Sequence, residues 1–111
     1  MVDKKLKRPI LRYHGGKWLL AKWIISHFPT HRIYTETFGG AASVLLQKRR
    51  SYSEVYNDMD GEVVNVFKVV REHGEILKEA LINTPYSREE FLLSYEPINE
   101  PIEKARRTVV R

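Results

Sequence analysis

The stretch YTETFGGAASVLL, Tyr34 to Leu46, decides how the chain is read. Residues 32–38, RIYTETF, combine aromatic and β-branched residues and predict a strand. Gly39 and Gly40 break it, and AASVLLQKRR resumes as a helix, with Lys48, Arg49 and Arg50 at the favourable end of the helix dipole. A strand that runs through glycines into a helix opened by small residues lets backbone N–H groups approach a ligand. Alone, this pattern is also ordinary punctuation between two elements. Eighteen residues beyond Gly40 comes Asp58, at the end of a second predicted strand, EVYND (Glu54 to Asp58). In nucleotide-binding folds an acid at that point accepts hydrogen bonds from ribose hydroxyls. Asp60 suits the competing role of capping the next helix, which leaves Asp58 for a ligand.

Upstream, LRYHGGKWLLAKW (Leu11 to Trp23) sets Gly15, Gly16 and Lys17 before a predicted helix, Lys17 to Phe28. Leu20, Trp23, Ile24 and Phe28 share one face of it, and Pro29 stops it. A phosphate-binding P-loop is excluded, because Trp18 stands where serine or threonine is required and no glycine precedes Gly15 at the right distance. Two readings stay open on the residues alone. Lys17, unfavourable at a helix N-terminus, awaits a carboxylate, with Tyr13 offering its ring to a base; or the segment is a plain turn with a solvent-facing lysine.

Downstream, Val63, Val66, Phe67 and Val70 repeat at helical spacing between Gly61 and Arg71. Strand, glycine turn, helix, strand and helix, in that order, open a parallel α/β sheet. Two strands cannot bury both faces of such a sheet, and its open edges invite self-association. Beyond His73 the pattern is helical only. A helix over Glu75 to Asn83 ends at Thr84-Pro85, Ser87 and Glu90 predict a capping box for SREEFLLSY, and Pro101 begins a last helix, PIEKARRTVVR.

Composition sets outer bounds. The chain has 111 residues, 42% hydrophobic and 30% charged, ordinary values for a globular domain. No apolar run reaches the roughly 20 residues of a membrane helix, and no apolar stretch of signal-peptide length follows the basic start. Without cysteine there is no disulfide or thiolate chemistry, which fits a reducing cytoplasm. His14, His27, His31 and His73 lack metal-ligand spacing. Charge is uneven: residues 1–50 carry eleven Lys/Arg against two Asp/Glu, net +9, and residues 51–111 carry eight against twelve, net −4, giving the overall +5. The basic half is suited to a polyanion. Lys4, Lys5, Lys7 and Arg8 form a candidate phosphate-contacting arm, joined by Arg106, Arg107 and Arg111 if the last helix meets nucleic acid.

LRYHGGK, YTETFGGAASVLL and EVYNDMDGEVVNVFKVVRE, in this order and spacing, resemble the N-terminal third of Dam-like DNA adenine-N6 methyltransferases. The resemblance is close over residues 11 to about 73 and looser beyond. It implies the N-terminal part of a Rossmann-like S-adenosylmethionine (SAM)-dependent methyltransferase sheet, followed by helices leading into a target-recognition region. The implied organisation is a basic arm over 1–10, a partial SAM-binding α/β domain over 11–74, and the start of the recognition region over 75–111. By the same resemblance SAM is the cofactor and double-stranded DNA the partner. Tyr13 would lie near the adenine of SAM and Lys17 toward its methionine end, with Gly15 and Gly16 in the same motif. Phe38, Gly39 and Gly40 would form a wall, and Asp58 would hold the ribose. Tyr13 stands where the family often has Trp, Thr37 replaces a proline, and Ala42 replaces the last glycine of the turn, with a methyl expected to crowd the cofactor slightly. The family's catalytic motif, [D/N/S]-P-P-[Y/F/W], is not matched. Its nearest counterpart, Asn83-Thr84-Pro85-Tyr86, follows a helical segment and reads as an interhelical turn. The expectation is therefore an N-terminal portion of a methyltransferase that is inactive alone. A basic DNA-binding module without a working SAM site is the alternative, and a dinucleotide-binding oxidoreductase piece would leave Tyr13 to Lys17 without a role.

Overall fold

Strand β1 (Ile33–Glu36) pairs in parallel with β2 (Ser53–Tyr56) in the computed structural model, which describes residues 6–111. The register sets Ile33 beside Ser53, Tyr34 beside Glu54, Thr35 beside Val55 and Glu36 beside Tyr56. Between them runs α2 (Ser43–Gln47), and before them α1 (Ala21–Ser26). The chain is thus a mixed helix and strand structure with a two-stranded parallel sheet. It divides into two compact units at Met59/Asp60.

In the first unit the core is thin and built of small residues. Ala21, Ala41, Ala42 and Ser43 are buried together with Leu11. Side chains alternate across a strand, so Tyr34, Glu36, Glu54 and Tyr56 share one face and Ile33, Thr35, Ser53 and Val55 the other. The first face is the engaged one. Lys48 lies buried there and directs its three N–H donors to Glu54, Ser51 Oγ and the Arg49 carbonyl, at 2.9, 2.6 and 2.8 Å. Its ammonium also sits 4.6 Å from the Tyr34 ring centroid. On the second face Ile33 and Val55 are exposed.

Two local expectations differ from the structure. The first helix starts at Ala21 rather than Lys17, because residues 18–20 form a turn closed by Leu20 N–H donating to the Lys17 carbonyl. The apolar side of α1 is therefore Ala21, Ile24, Ile25 and Phe28, while Leu20 and Trp23 are exposed. Helix α2 ends at Gln47, and Lys48 turns extended (φ −76°, ψ 158°), so its charge serves the Glu54 pair rather than the helix dipole.

The second unit is helical. Helix α3 (Gly61–Ile82) is capped by Asp60, whose carboxylate accepts from Glu62 N–H at 2.9 Å. It kinks at His73 (φ −140°, ψ 38°), where the sequence predicts two helices meeting. Val63, Val66, Val69 and Leu77 are buried along it. Helix α4 (Arg88–Leu93) and helix α5 (Pro101–Val110) complete the unit. The α5 start is fixed by Pro101 and by Glu100, whose carboxylate accepts from Ile102 and Glu103 N–H. Ala105, fully buried, permits close approach of α5 to α3, and Asn65 donates to the Pro101 carbonyl at 3.0 Å. This packing runs along α3 within the compact unit that begins at Asp60. Among the described residues no helix is long and apolar enough to cross a membrane.

Candidate functional site

At the C-terminal end of β1 the first unit has an open cleft of about 450 Å³, within the range of small-ligand sites. Seven of the eight residues expected to bind the cofactor line it: Tyr13, Gly15, Gly16, Lys17, Phe38, Gly39 and Gly40. Two segments twenty residues apart in sequence supply them, and backbone geometry explains why they meet. Gly16 N–H donates to the Tyr13 carbonyl at 2.9 Å, and Gly15 has φ +76°, a conformation that favours glycine. This tight turn sets the Tyr13 ring against Gly40, where an added Cβ would come within 2.9 Å of Tyr13 Cε1. Gly40 itself has φ +52°. Gly39 is closed off from the other side: a Cβ there would lie 2.1 Å from Tyr56 Cε2. The two glycines are thus held between two tyrosine rings, with room for neither side chain.

Hydrogen bonds fix the same turn. Gly39 N–H donates to the Asn57 carbonyl and Gly40 N–H to Asp58 Oδ2, at 2.8 and 2.9 Å. Tyr56 hydroxyl donates to the Gly40 carbonyl, and Asn57 Nδ2 to the Thr37 carbonyl. Asp58, the eighth expected residue, stands outside the cleft lining and meets the site through Gly40. Lys17 lines the cleft with its ammonium on the Gly15 carbonyl at 2.7 Å, and Phe38, 79% exposed, offers an open ring.

Ala42 adopts φ +54°, ψ 37° and is fully buried. Its methyl faces the interior and does not line the cleft, so its cost is the backbone strain of a non-glycine residue in the left-handed region and not the expected crowding.

The cleft also holds residues that sequence reasoning passed over. Glu36 accepts from Leu45 N–H at 2.6 Å and from the Tyr34 hydroxyl at 2.9 Å. Burial pushes the Glu36 carboxyl above the usual carboxylate range, against these bonds and the nearby Lys48. Burial, and then the Glu36 carboxylate, raises the Tyr34 hydroxyl in turn. The signal that could have found them is the strand alternation that sets Tyr34 and Glu36 on one side of β1, pointing to the same end as Phe38. The Tyr56 role, across sixteen residues, had no local signal.

The residues expected to meet phosphates are scattered. Lys4 and Lys5 lie outside the described residues, and Lys7 is exposed. Arg106 is buried in the second unit, donating to Glu103 (2.6 and 2.8 Å), Glu90 (2.7 Å) and Thr84 Oγ1 (3.1 Å). Arg107 bonds Glu103 and the Glu96 carbonyl, and Arg111 pairs with Glu62 at 2.7 Å. These guanidinium groups hold α3, α4 and α5 together. The Arg106 and Arg107 guanidiniums in turn hold the Glu103 carboxyl down to about 2. Glu90 is drawn to Arg106, so the capping box at Ser87 is half made: Ser87 Oγ accepts from Glu90 N–H, and the return bond is replaced by the ion pair. Asn83 to Tyr86 form the linker between α3 and α4, with Thr84 Oγ1 bonded to the Ala80 carbonyl and Tyr86 fully exposed.

A model of the family described as D12 class N6 adenine-specific DNA methyltransferase matches residues 13–111. No curated protein matches the chain significantly.

Proposed function

Because the chain belongs to the D12 class N6 adenine-specific DNA methyltransferase family, we propose that its glycine-lined cleft binds SAM for methyl transfer to adenine N6 in double-stranded DNA. The observation that carries this reading is the convergence of Tyr13, Lys17 and Gly39-Gly40 on one cleft, with no space for a Cβ at either glycine. The glycines let the Tyr13 and Tyr56 rings close on the turn from either side, which fixes the backbone that walls the cleft. When bound, SAM supplies an electrophilic methyl group; the chain's own part is to hold it. In this reading Tyr13 and Phe38 offer ring faces to the adenine. Lys17 gives up the Gly15 carbonyl for the methionine carboxylate. Asp58, already fixed by Gly40 N–H, has carboxylate lone pairs suited to ribose hydroxyls.

Residues 11–74 then supply part of a Rossmann-like SAM domain and 75–111 lead into a target-recognition region, with Lys4, Lys5, Lys7 and Arg8 as a phosphate-contacting arm. In this reading the protein acts in the cytoplasm, where DNA and SAM are both at hand. The sequence holds no [D/N/S]-P-P-[Y/F/W] motif, and Asn83 to Tyr86 is an exposed linker rather than a strand end. We therefore expect the 111-residue chain to bind SAM without itself methylating DNA. Calorimetric titration with SAM tests the reading. Saturable binding lost in Lys17→Ala and Asp58→Ala supports it, and DNA binding with no SAM binding would favour a basic DNA-binding module instead.

A further inference from the structure

The cleft lies where the strands end; a different surface lies where they begin. Arg32 directly precedes β1, and Arg49, Arg50 and Tyr52 lead into β2. The parallel register brings these lead-in segments side by side, and Ser53 N–H donates to the Arg32 carbonyl at 3.1 Å. Arg32 stacks its guanidinium 4.8 Å from the centroid of Tyr52, a ring that is itself 83% exposed. Arg49 and Arg50 are exposed, between the end of α2 and β2, outside any helix or strand. None of the three arginines pairs with a carboxylate among the described residues.

Among the described residues of the unit every acid is already engaged elsewhere. Its described residues include nine Lys/Arg and only three acids, Glu36, Glu54 and Asp58. Glu36 is bonded to Tyr34 and Leu45, Glu54 to the buried Lys48, and Asp58 to Gly40. Four residues of strand separate this end from the cleft, about 13 Å at strand rise.

We propose that Arg32, Arg49 and Arg50, braced by Tyr52, form a second phosphate-contacting surface for nucleic acid, at the end of the sheet away from the cleft. Planar guanidiniums suit phosphate oxygens, and stacking on Tyr52 pre-orders Arg32 for that role. The surface carries no sequence information; it adds affinity and salt dependence. The proposal rests on DNA being the substrate, and its test separates the two.

Binding of a fluorescein-labelled 20-base-pair duplex to the full chain is followed by anisotropy between 50 and 200 mM salt, for the wild type and for Arg32→Ala/Arg49→Ala/Arg50→Ala. Each phosphate that is no longer neutralised lowers the slope of log K against log salt by about 0.9. The triple variant is expected to keep its melting temperature, to keep any SAM binding, and to show a slope shallower by about 2 to 3. An unchanged slope overturns the proposal while leaving the SAM reading intact. A wild type that does not bind duplex overturns both this surface and DNA as substrate. Loss of binding to phosphatidylserine vesicles with DNA binding unaltered would assign the surface to a membrane and overturn it as well.

Discussion

Asp58 Oδ2 accepts a hydrogen bond from Gly40 N–H at 2.9 Å, tying the end of β2 to the turn that follows β1. This bond makes the second strand a support for the cleft, whatever else the carboxylate touches. Its removal leaves a part-buried N–H without that acceptor, a loss of about 1–2 kcal/mol. Asp58→Ala is expected to show that loss in denaturant unfolding together with loss of SAM binding. Asp58→Asn keeps an acceptor for Gly40 but brings a donor toward the ribose, so stability stays near wild type while SAM affinity falls. Equal stability losses in both variants would contradict the bond's role.

Gly39 and Gly40 predict two different penalties. Gly39→Ala drives a Cβ into the Tyr56 ring and is an overpacking change worth about 1–3 kcal/mol. Gly40→Ala adds a left-handed alanine and displaces Tyr13, so it weakens SAM binding as well as stability. Gly15→Ala meets no neighbour within 4 Å and should cost only about 1–2 kcal/mol of backbone strain. Denaturant midpoints and SAM titrations of the three variants give the ranking.

Glu36 predicts a pH effect of unusual sign. Its folded-state pKa is raised by burial, so folding favours the protonated acid. Stability from this group is complete below the ordinary carboxylate value of 4.5 and falls as pH rises through the folded value. Glu36→Gln keeps an acceptor for Leu45 N–H and Tyr34 and has no charge to bury. It should therefore melt higher than wild type at pH 7 and match it at pH 4, as thermal unfolding at the two pH values will show.

Glu103 predicts the opposite slope. Arg106 and Arg107 hold its pKa at about 2, so its contribution is present above 4.5 and is lost as pH falls toward 2. Arg106→Met strands Glu90 and leaves Glu103 to Arg107 alone, and should cost about 1–3 kcal/mol at pH 7, less than for a dry pair because solvent reaches both acids. The deficit should shrink between pH 4.5 and 2 in melts of the variant against wild type.

The parts legible in the sequence are those written in local chemistry. The strand ending at Gly39-Gly40, the Asp60 and Ser87 caps and the Pro101 helix start each depend on residues within one turn of each other. The family motifs also identified seven residues that line one cleft. What was not legible depends on partners distant in sequence. Arg106 is a surface cation by composition, and only the fold brings Glu90, sixteen residues earlier, to its guanidinium. Leu20 and Trp23 fit a helical stripe, yet the turn at 18–20 rotates them outward. The Asp58 bond to Gly40 is invisible until two strands pair.

In the proposed function SAM binds at the Gly15-Gly16 and Gly39-Gly40 turns. A ¹⁵N–¹H NMR titration of the chain with SAM tests it most directly. SAM bound there shifts the amides of Gly15, Gly16, Gly39 and Gly40 saturably and leaves those of α5 unmoved. Saturable shifts confined to other residues, or none at all, would contradict it.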